Sequence, residues 1–245
     1  MTPNTYISVI VPCYNEEKRL QTQQFLQFLN ENSNFSFLFV NDGSRDGTWD
    51  LLQNNAKNNE RFLTLNLEKN GGKAEAVRKG MLLAYENIEC EYIGFWDADL
   101  ATPLFEINNF VRIMQENDYD IVTGLRLMRL GAKVKRKNSR HYLGRLFATT
   151  ASKMLKLPVY DTQCGAKLYK KQIVEPLFKN GFITKWLFDV EILARYIKLF
   201  GRENAISKIY EYPVFQWEDI GGSQLKIKDF VKAPLELWKI KKKYL

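Results

Sequence analysis

The stretch Tyr92-Ile93-Gly94-Phe95-Trp96-Asp97-Ala98-Asp99 decides the fold, because a short apolar run ends there in two acidic residues. Runs of five or six residues rich in Val, Ile and Phe are typical of buried parallel strands. Three more runs precede it, at residues 6–11, 35–40 and 62–67, and stretches of helical length separate them, at 17–30, 47–58 and 73–87. This alternation predicts an α/β, Rossmann-like fold with a mostly parallel sheet and helices on both faces.

The second half of the chain shows a less regular pattern. Helical patterns cover residues 103–116, 138–157 and 189–200, and strand-like patterns cover 121–125, 164–169 and 207–214. A chain of 245 residues is long enough for one sizeable α/β domain and short for two. We therefore predict a single domain over residues 1–225, followed by a basic amphipathic C-terminal helix at 226–245.

Positive charge is concentrated in one segment of the chain, residues 121–160. The whole chain carries a formal net charge of +8, and this segment contains ten Lys and Arg residues but no Asp or Glu. An anionic partner is therefore expected at this segment.

The cysteines and the N-terminus suggest a compartment. Cys13, Cys90 and Cys164 are odd in number and widely spaced, which is not the pattern of a disulfide framework or a zinc site. We expect reduced thiols. The sequence shows no signal-peptide pattern and no apolar run long enough to cross a membrane. The resulting expectation is a cytoplasmic protein.

The acidic pair Asp97 and Asp99 is the strongest candidate for a metal site. In open parallel sheets, ligands bind beyond the carboxyl ends of the strands, which is where this pair falls. Mg²⁺ and Mn²⁺ prefer oxygen ligands, often one or two carboxylates completed by water and phosphate. The alternative interpretation is a solvated acidic turn, but the position after the fourth strand of the series favours the metal site.

Two further loops lie at the same predicted edge. Asp42 follows the second strand and is a candidate to bind a nucleobase or ribose, although Asn-Asp-Gly-Ser is also an ordinary turn. Lys73 follows Gly71-Gly72 at a predicted helix start, where backbone N–H groups and a cation suit a diphosphate, although a flexible turn explains it equally well. The Walker pattern and the GxGxxG dinucleotide pattern are both absent from the sequence.

Several strings, taken in order, resemble glycosyltransferase family 2. They are Val11-Pro12-Cys13-Tyr14-Asn15-Glu16, Asn41-Asp42-Gly43-Ser44, Asn70-Gly71-Gly72-Lys73 and Asp97-Ala98-Asp99. Later strings, Asp161-Thr162-Gln163-Cys164-Gly165-Ala166-Lys167, Trp186-Leu187-Phe188-Asp189-Val190-Glu191 and Trp217-Glu218-Asp219, resemble the dolichyl-phosphate β-glucosyltransferase and polyprenyl-phosphate branch of that family. The resemblance implies a GT-A fold and an inverting transfer of a hexose, with UDP-glucose as the expected donor and a polyprenyl phosphate as the expected acceptor.

The resemblance also implies roles for individual residues. Those expected around the donor are Pro12, Tyr14, Glu16, Asp42 and Asp97, and Lys73 is added to them from its place after the two glycines at the predicted helix start. Asp99, together with Asp97, is expected to hold Mg²⁺ or Mn²⁺. Arg126 and Arg140 are expected at the acceptor phosphate.

The nature of the acceptor determines whether a base is needed. A phosphate monoester is largely ionised near neutral pH and requires placement more than activation. An alcohol acceptor requires a carboxylate to take its proton, and the candidates are Asp161, Asp189 and Glu191, with Asp189 first. The only histidine, His141, lies in a basic run with no carboxylate nearby in sequence, which argues against a Ser-His-Asp triad.

Two other functions compete with transfer to a lipid phosphate. One is transfer to a saccharide hydroxyl in cell-surface polysaccharide assembly. The other, of a different class, is nucleic-acid binding, which the basic segment suggests but its lack of interleaved aromatic residues disfavours. The basic segment and the C-terminal helix suit an anionic membrane surface, which predicts peripheral association with the cytoplasmic face. The alternative is a solvated basic helix whose apolar face packs on the sheet.

Overall fold

The computed structural model describes residues 5–135, 138–220 and 227–245, with side chains at 5–135, 144–220 and 232–245. Strands are β1 (Ile7–Cys13), β2 (Phe35–Asp42), β3 (Phe62–Leu67), β4 (Tyr92–Trp96), β5 (Ile121–Leu125), β6 (Lys133–Lys135), β7 (Ala166–Lys170), β8 (Ile209–Pro213) and β9 (Gln216–Glu218). Helices are α1 (Thr22–Glu31), α2 (Thr48–Ala56), α3 (Lys73–Asn87), α4 (Glu106–Asn117), α5 (Asn138–Leu155), α6 (Lys171–Phe178), α7 (Phe188–Phe200), α8 (Arg202–Lys208) and α9 (Ile227–Tyr244).

The main sheet has the strand order β3-β2-β1-β4-β7-β5-β8 in the described part of the chain. The pairs β1–β2, β1–β4, β2–β3 and β5–β8 are parallel, whereas β7 runs antiparallel to both of its neighbours. The predicted mostly parallel α/β sheet is thus confirmed. Because β1, β2 and β4 are adjacent and parallel, the loops after them meet at one edge of the sheet.

Alternate residues of the central strands face two separate hydrophobic layers. Val9, Val11, Phe37 and Phe39 pack with helices α1, α2 and α4. Ile10, Leu38 and Val40 face the other way, toward α3 and the helices of the second half. Both faces of the strands are therefore buried, which is why their sequences are almost continuously apolar.

Helices α5 and α9 share their apolar residues between core and surface. Ala151 and Leu155 of α5 are buried in the second layer, as are Leu237 and Ile240 of α9. Leu146, by contrast, is 69% exposed. None of the helices within the described ranges combines the length and the apolar character that crossing a membrane requires.

Three differences from the sequence predictions have local causes. Helix α1 begins at Thr22 and not near residue 17, because residues 15–17 are bonded to the loop after β2 and to the start of α2, with Glu16 N–H donating to Thr48 Oγ1 at 2.8 Å. The stretch 207–214 is not wholly a strand, since α8 continues to Lys208 before β8 begins. Within the described residues, the short strands β6 and β9 pair with each other and with no other strand, and the sequence shows no pattern long enough to predict them.

Candidate functional site

Asp97 and Asp99 lie directly after β4, at the edge of the sheet where the parallel strands end. Both are partly buried. Lys73 Nζ lies 2.5 Å from Asp97 Oδ1, so the first residue of α3 forms an ion pair with the first acid of the motif. Asp99 Oδ1 accepts a hydrogen bond from Ala101 N–H at 3.0 Å, across a turn in which Leu100 has φ of 53°.

The electrostatics of this cluster favour an added positive charge. Burial raises the pKa of Asp99, and the nearby Asp97 raises it further. Burial opposes the charged form of Lys73, but Asp97 and Asp189 outweigh that effect, and the net pKa of Lys73 is raised. Lys73 is therefore kept charged, whereas the negative charge of Asp97 still disfavours the ionised form of Asp99.

The donor set fits only certain metal ions. Within the described ranges, no group of three or more His, Cys, Asp or Glu side chains is arranged to hold a metal. Two carboxylates therefore have to be completed by water or by a phosphate-bearing ligand, which is how Mg²⁺ and Mn²⁺ are commonly held and which does not suit a structural zinc site.

Asp42 is buried and organises the loop that precedes α3. Its carboxylate accepts hydrogen bonds from Gly71 N–H and Gly72 N–H, both at 2.8 Å. Asn70 Nδ2 donates to the Asp42 carbonyl at 3.1 Å. Gly43 has φ of 62°, and a Cβ there would lie 2.7 Å from Asn70 N, so a larger residue would push the two loops apart. Asp42 therefore places Lys73 by fixing the chain before it.

Pro12, Tyr14 and Glu16 extend the site along the loop after β1. Pro12 and Tyr14 are partly exposed, whereas Glu16 is 8% exposed. Glu16 binds Arg19 through both carboxylate oxygens, with the Nη2–Oε1 distance 2.6 Å. Burial raises the pKa of Glu16, Arg19 opposes this shift, and Asp99 adds to it, which places Glu16 and Asp99 in one electrostatic neighbourhood.

The loop before β7 packs directly against Asp97. Asp97 N–H donates to the Gly165 carbonyl at 2.9 Å, and a Cβ built on Gly165 would lie only 1.8 Å from Asp97 Oδ2. Lys167 Nζ, which is buried, donates to the carbonyls of Thr162 at 3.1 Å and Cys164 at 2.6 Å. A buried lysine thus fixes the loop that supports Asp97.

The three carboxylates considered as bases for an alcohol acceptor all have structural partners. Asp189 is 5% exposed and pairs with Lys167 at 2.7 Å. Glu191 is fully buried, and its partners include Arg195 at 2.8 Å and Thr184 N–H at 3.1 Å. Burial raises the pKa of Asp189, with Lys167 opposing the shift.

Arg126 follows β5 and forms a two-pronged bond with the third carboxylate, Asp161. Nε and Nη2 of Arg126 lie 2.7 and 2.8 Å from the two Asp161 oxygens. The guanidinium also lies 5.3 Å from the ring centroid of Trp217. Burial opposes the charged form of Arg126, but Asp161 outweighs that effect and the net pKa of Arg126 is raised, so the guanidinium stays charged. Arg140 belongs to α5, but its side chain, like that of His141, lies outside the described residues.

The structure therefore gathers most of the predicted residues at one rim. Asp97, Asp99, Lys73, Glu16 and Asp42 belong to loops that contact one another, and Asp189 lies close enough to act on Lys73 electrostatically.

Two residues that support this site, Lys167 and Gly165, have no role that the sequence patterns predict. A lysine inside the strand-like run 164–169 was the available signal for Lys167, since a charged residue facing a sheet layer needs a partner. No comparable sequence signal indicated that Gly165 packs on Asp97.

Comparison with known proteins places the chain in a family. The model of Glycosyl transferase family 2 matches residues 8–178. Dolichyl-phosphate beta-glucosyltransferase ALG5A of Trichomonas vaginalis is 33% identical over 251 residues, which cover 97% of this chain and 73% of the relative. The Dictyostelium discoideum dolichyl-phosphate beta-glucosyltransferase is 33% identical over 267 residues, covering 97% of this chain and 78% of the relative.

Solved structures show the same fold at low sequence identity. Glucosyl-3-phosphoglycerate synthase of Mycobacterium tuberculosis matches with a TM-score of 0.69 at 13% identity, over 97% of this chain and 81% of that chain. Its complex with Mn²⁺, UDP and glucosyl-3-phosphoglycerate matches with a TM-score of 0.68 at 14% identity, over 97% and 80% of the two chains.

Proposed function

Because the chain belongs to glycosyl transferase family 2 and is a glycosyltransferase, we propose that it transfers glucose from UDP-glucose to a polyprenyl phosphate with inversion at the anomeric carbon. One observation carries the proposal, the cluster of Asp97, Asp99 and Lys73 at the end of β4. Relatives at about a third identity across nearly the whole chain bear the name dolichyl-phosphate beta-glucosyltransferase, which supports glucose as the sugar and a polyprenyl phosphate as the class of acceptor.

Different residues of the rim hold different parts of the donor. Pro12 and Tyr14 border the space for the base and ribose, and Glu16 closes it beside Asp99. Asp42 acts mainly through the Gly71-Gly72 turn, which it fixes so that Lys73 reaches the diphosphate. Lys73 is held charged by its acidic neighbours, and a cation there stabilises a departing diphosphate.

A divalent cation fits the two carboxylates Asp97 and Asp99. When bound, such an ion supplies positive charge to a diphosphate leaving group and lowers the barrier to its departure. Asp97 already forms an ion pair with Lys73. Asp99 has no ion pair with a Lys or Arg side chain among the contacts described, and it accepts a hydrogen bond from Ala101 N–H. We therefore assign the larger part of metal binding to Asp99.

The acceptor is proposed to be a phosphate because the carboxylates that would deprotonate an alcohol have other partners. Asp189 is paired with Lys167 and Glu191 with Arg195, so we assign neither as a general base. Asp189 instead acts indirectly, by holding Lys167 and by keeping Lys73 charged. Arg126, held by Asp161, and Arg140 are the proposed contacts of the acceptor phosphate.

We also propose that the protein works at a membrane surface, where a polyprenyl phosphate resides. Exposed apolar side chains support this on two helices that pack together, α5 and α9: Leu146 is 69% exposed, Leu235 56% and Trp238 57%. The tail of α9 adds Lys241, Lys242 and Lys243, which suit anionic headgroups. The cytoplasmic face is the proposed side.

A panel of nucleotide sugars tests the donor and the acceptor together. Purified protein is incubated with UDP-glucose, UDP-galactose or GDP-mannose, with undecaprenyl or dolichyl phosphate and with Mg²⁺ or Mn²⁺, and lipid-linked sugar is measured. We expect glucosyl lipid from UDP-glucose. Product formed only with a saccharide or alcohol acceptor would contradict the proposed acceptor.

Asp99→Asn tests the role assigned to that carboxylate. Removing one charged metal ligand is expected to lower kcat/KM by at least about 100-fold, comparable to the loss of one preorganised transition-state contact. Excess Mn²⁺ is expected to restore part of the activity. Full activity in EDTA, or in the Asp99→Asn protein without added metal, would show that no cation acts at this site.

A further inference from the structure

A cavity of about 140 Å³ lies between the sheet and helix α7, next to the Lys167–Asp189 pair. Its floor is a patch of cross-strand neighbours on one sheet face. Ile121, Tyr169 and Ile209 form one row in the register, and Thr123, Lys167 and Glu211 form the next. The cavity is therefore apolar at one end and polar at the other.

Three residues that line this cavity carry a buried hydroxyl group with no hydrogen-bond partner within the described residues. They are Thr123, Thr162 and Tyr169, which are 4%, 2% and 0% exposed. Buried polar groups in native proteins are nearly always paired, so three unpaired hydroxyls around one space indicate an occupant that bonds to them.

The charges at the polar end define what this occupant can be. Lys167 is already paired with Asp189, and Glu211 accepts hydrogen bonds from Tyr160 N–H at 2.7 Å and Asp161 N–H at 2.6 Å. An anion would meet three carboxylates there, those of Asp161, Asp189 and Glu211. A cation would have to be desolvated in a largely apolar space, which is costly. A ligand with an uncharged hydroxyl can form hydrogen bonds with the three unpaired hydroxyl groups without adding charge.

The size and the walls of the cavity define the apolar part of the ligand. Cavities of this volume accommodate a six-carbon group such as benzene. Leu157, Ile192 and Leu193 supply apolar walls, and Ile206, which is 55% exposed, lies where the cavity meets solvent. We propose that this cavity is a binding site for a small uncharged amphiphile, with an apolar body of about five or six carbons and a hydroxyl directed at Thr123, Thr162 and Tyr169.

The cavity and the rim share one wall. The Lys167–Asp189 pair lines the cavity, while Asp189 also acts on the charge of Lys73. The proposed site is nonetheless separate from the donor residues, and it stands whether or not the chain uses UDP-glucose. Binding there is expected both with and without UDP and Mn²⁺.

Cyclohexanol is the probe, and binding is measured by saturation-transfer NMR on the full chain. Cyclohexanecarboxylate and cyclohexylamine are the charged probes of the same body. We expect saturable binding of cyclohexanol and weaker binding of both charged probes. Tighter binding of either charged probe would overturn the assigned ligand class.

Two substitutions locate the binding. Ala205→Leu fills the cavity from α8, where Ala205 is buried, and is expected to abolish binding. Thr123→Val removes one orphan hydroxyl at nearly constant shape and is expected to weaken binding roughly three- to tenfold, the worth of one hydrogen bond.

Ser36→Ala is the matched control. Its hydroxyl is also buried and unpaired among the described residues, but it lies in β2, away from the cavity. This change is expected to leave binding unaltered. Absence of saturable cyclohexanol binding to the unmodified protein, or equal binding by the Ala205→Leu protein, would show that the cavity holds water only and would overturn the proposal.

Discussion

At the scale of single residues, the acidic motif depends on a glycine from a distant part of the sequence. Gly165 packs so closely on Asp97 that a Cβ there would lie 1.8 Å from Asp97 Oδ2. The φ angle of Gly165 is not in the left-handed region, so the requirement for glycine is a matter of space. The position of the Asp97 carboxylate is thus set jointly by β4 and by the loop before β7.

Gly165→Ala is expected to displace Asp97 while leaving the fold intact. A shift of about 1 Å in a catalytic group costs on the order of 100-fold, and we expect at least that loss in kcat/KM. The control is Gly181→Ala, because a Cβ on Gly181 would meet nothing within 4 Å. Equal activity of the two variants would contradict the assigned contact.

Lys167 and Asp189 form an ion pair inside the protein. The two side chains are 5% and 6% exposed, so removing either one leaves an uncompensated buried charge. We expect Lys167→Met to lower the free energy of unfolding by about 3–5 kcal/mol, measured by chemical denaturation.

Two comparisons test the cause of that loss. Lys167→Met combined with Asp189→Leu leaves no unpaired carboxylate and is expected to recover part of the stability. Lys79→Met, at a lysine 46% exposed, is expected to change stability by less than about 1 kcal/mol. A Lys167→Met protein as stable as Lys79→Met would refute the structural role of the pair.

At the scale of elements, the sequence pattern predicted most of the central sheet. The bounds of β3, α3, β4 and β5 agree with the predicted runs, because each element combines a clear hydrophobic period with polar ends. It did not predict β6 and β9, since three-residue strands carry no period.

The site was predictable to a similar degree. The acidic rim follows from the parallel topology, whereas contacts such as Gly165 with Asp97 join residues far apart in sequence and leave no local signal. Asp42 was predicted as a ligand-binding residue. The structure shows that its carboxylate fixes the loop before α3, which residue type alone does not reveal.

Ion pairs at the end of α4 make the stability of the fold depend on pH. Asp118 ends this helix with φ of 49° and binds Lys170 of β7 and Lys208 of α8. These lysines lower the pKa of Asp118 to about 2. Because the folded pKa lies below the unfolded one, the pairs stabilise the fold above the ordinary Asp pKa, and this contribution is lost as pH falls toward 2.

Asp118→Asn should therefore reduce the dependence of stability on pH between 4 and 2. Asn tolerates the left-handed backbone, so the charge is the main change. Denaturation midpoints measured across this range are expected to fall less steeply for the variant than for the unmodified protein. The comparison is Glu86→Gln, at an exposed position with no ion pair among the described residues, which should leave the slope unchanged. Parallel slopes for all three proteins would contradict the assignment.

At the scale of the whole molecule, charge and exposed apolar surface are unevenly distributed. Arg145 of the basic segment donates to the Tyr160 carbonyl at 2.7 Å, and Arg126 binds Asp161, so part of the positive charge is used within the fold. Exposed Leu146 on α5 and Leu235 and Trp238 on α9 show that the two helices do not bury all of their apolar residues. Packing on the core and contact with a membrane surface are thus compatible roles for the same helices.

Trp238→Ala is expected to weaken binding to vesicles that contain anionic lipid. Losing an aromatic side chain inserted at the interface removes roughly 1–2 kcal/mol of apolar burial, which corresponds to about a five- to thirtyfold weaker partition. Sedimentation with vesicles measures this, and higher salt is expected to weaken binding further because the lysines of α9 contribute. The control is Phe105→Ser, since Phe105 is 49% exposed and lies at the start of α4, a helix of the opposite layer. If both variants partition like the unmodified protein, α9 does not contact the membrane, which would contradict the role proposed for this helix.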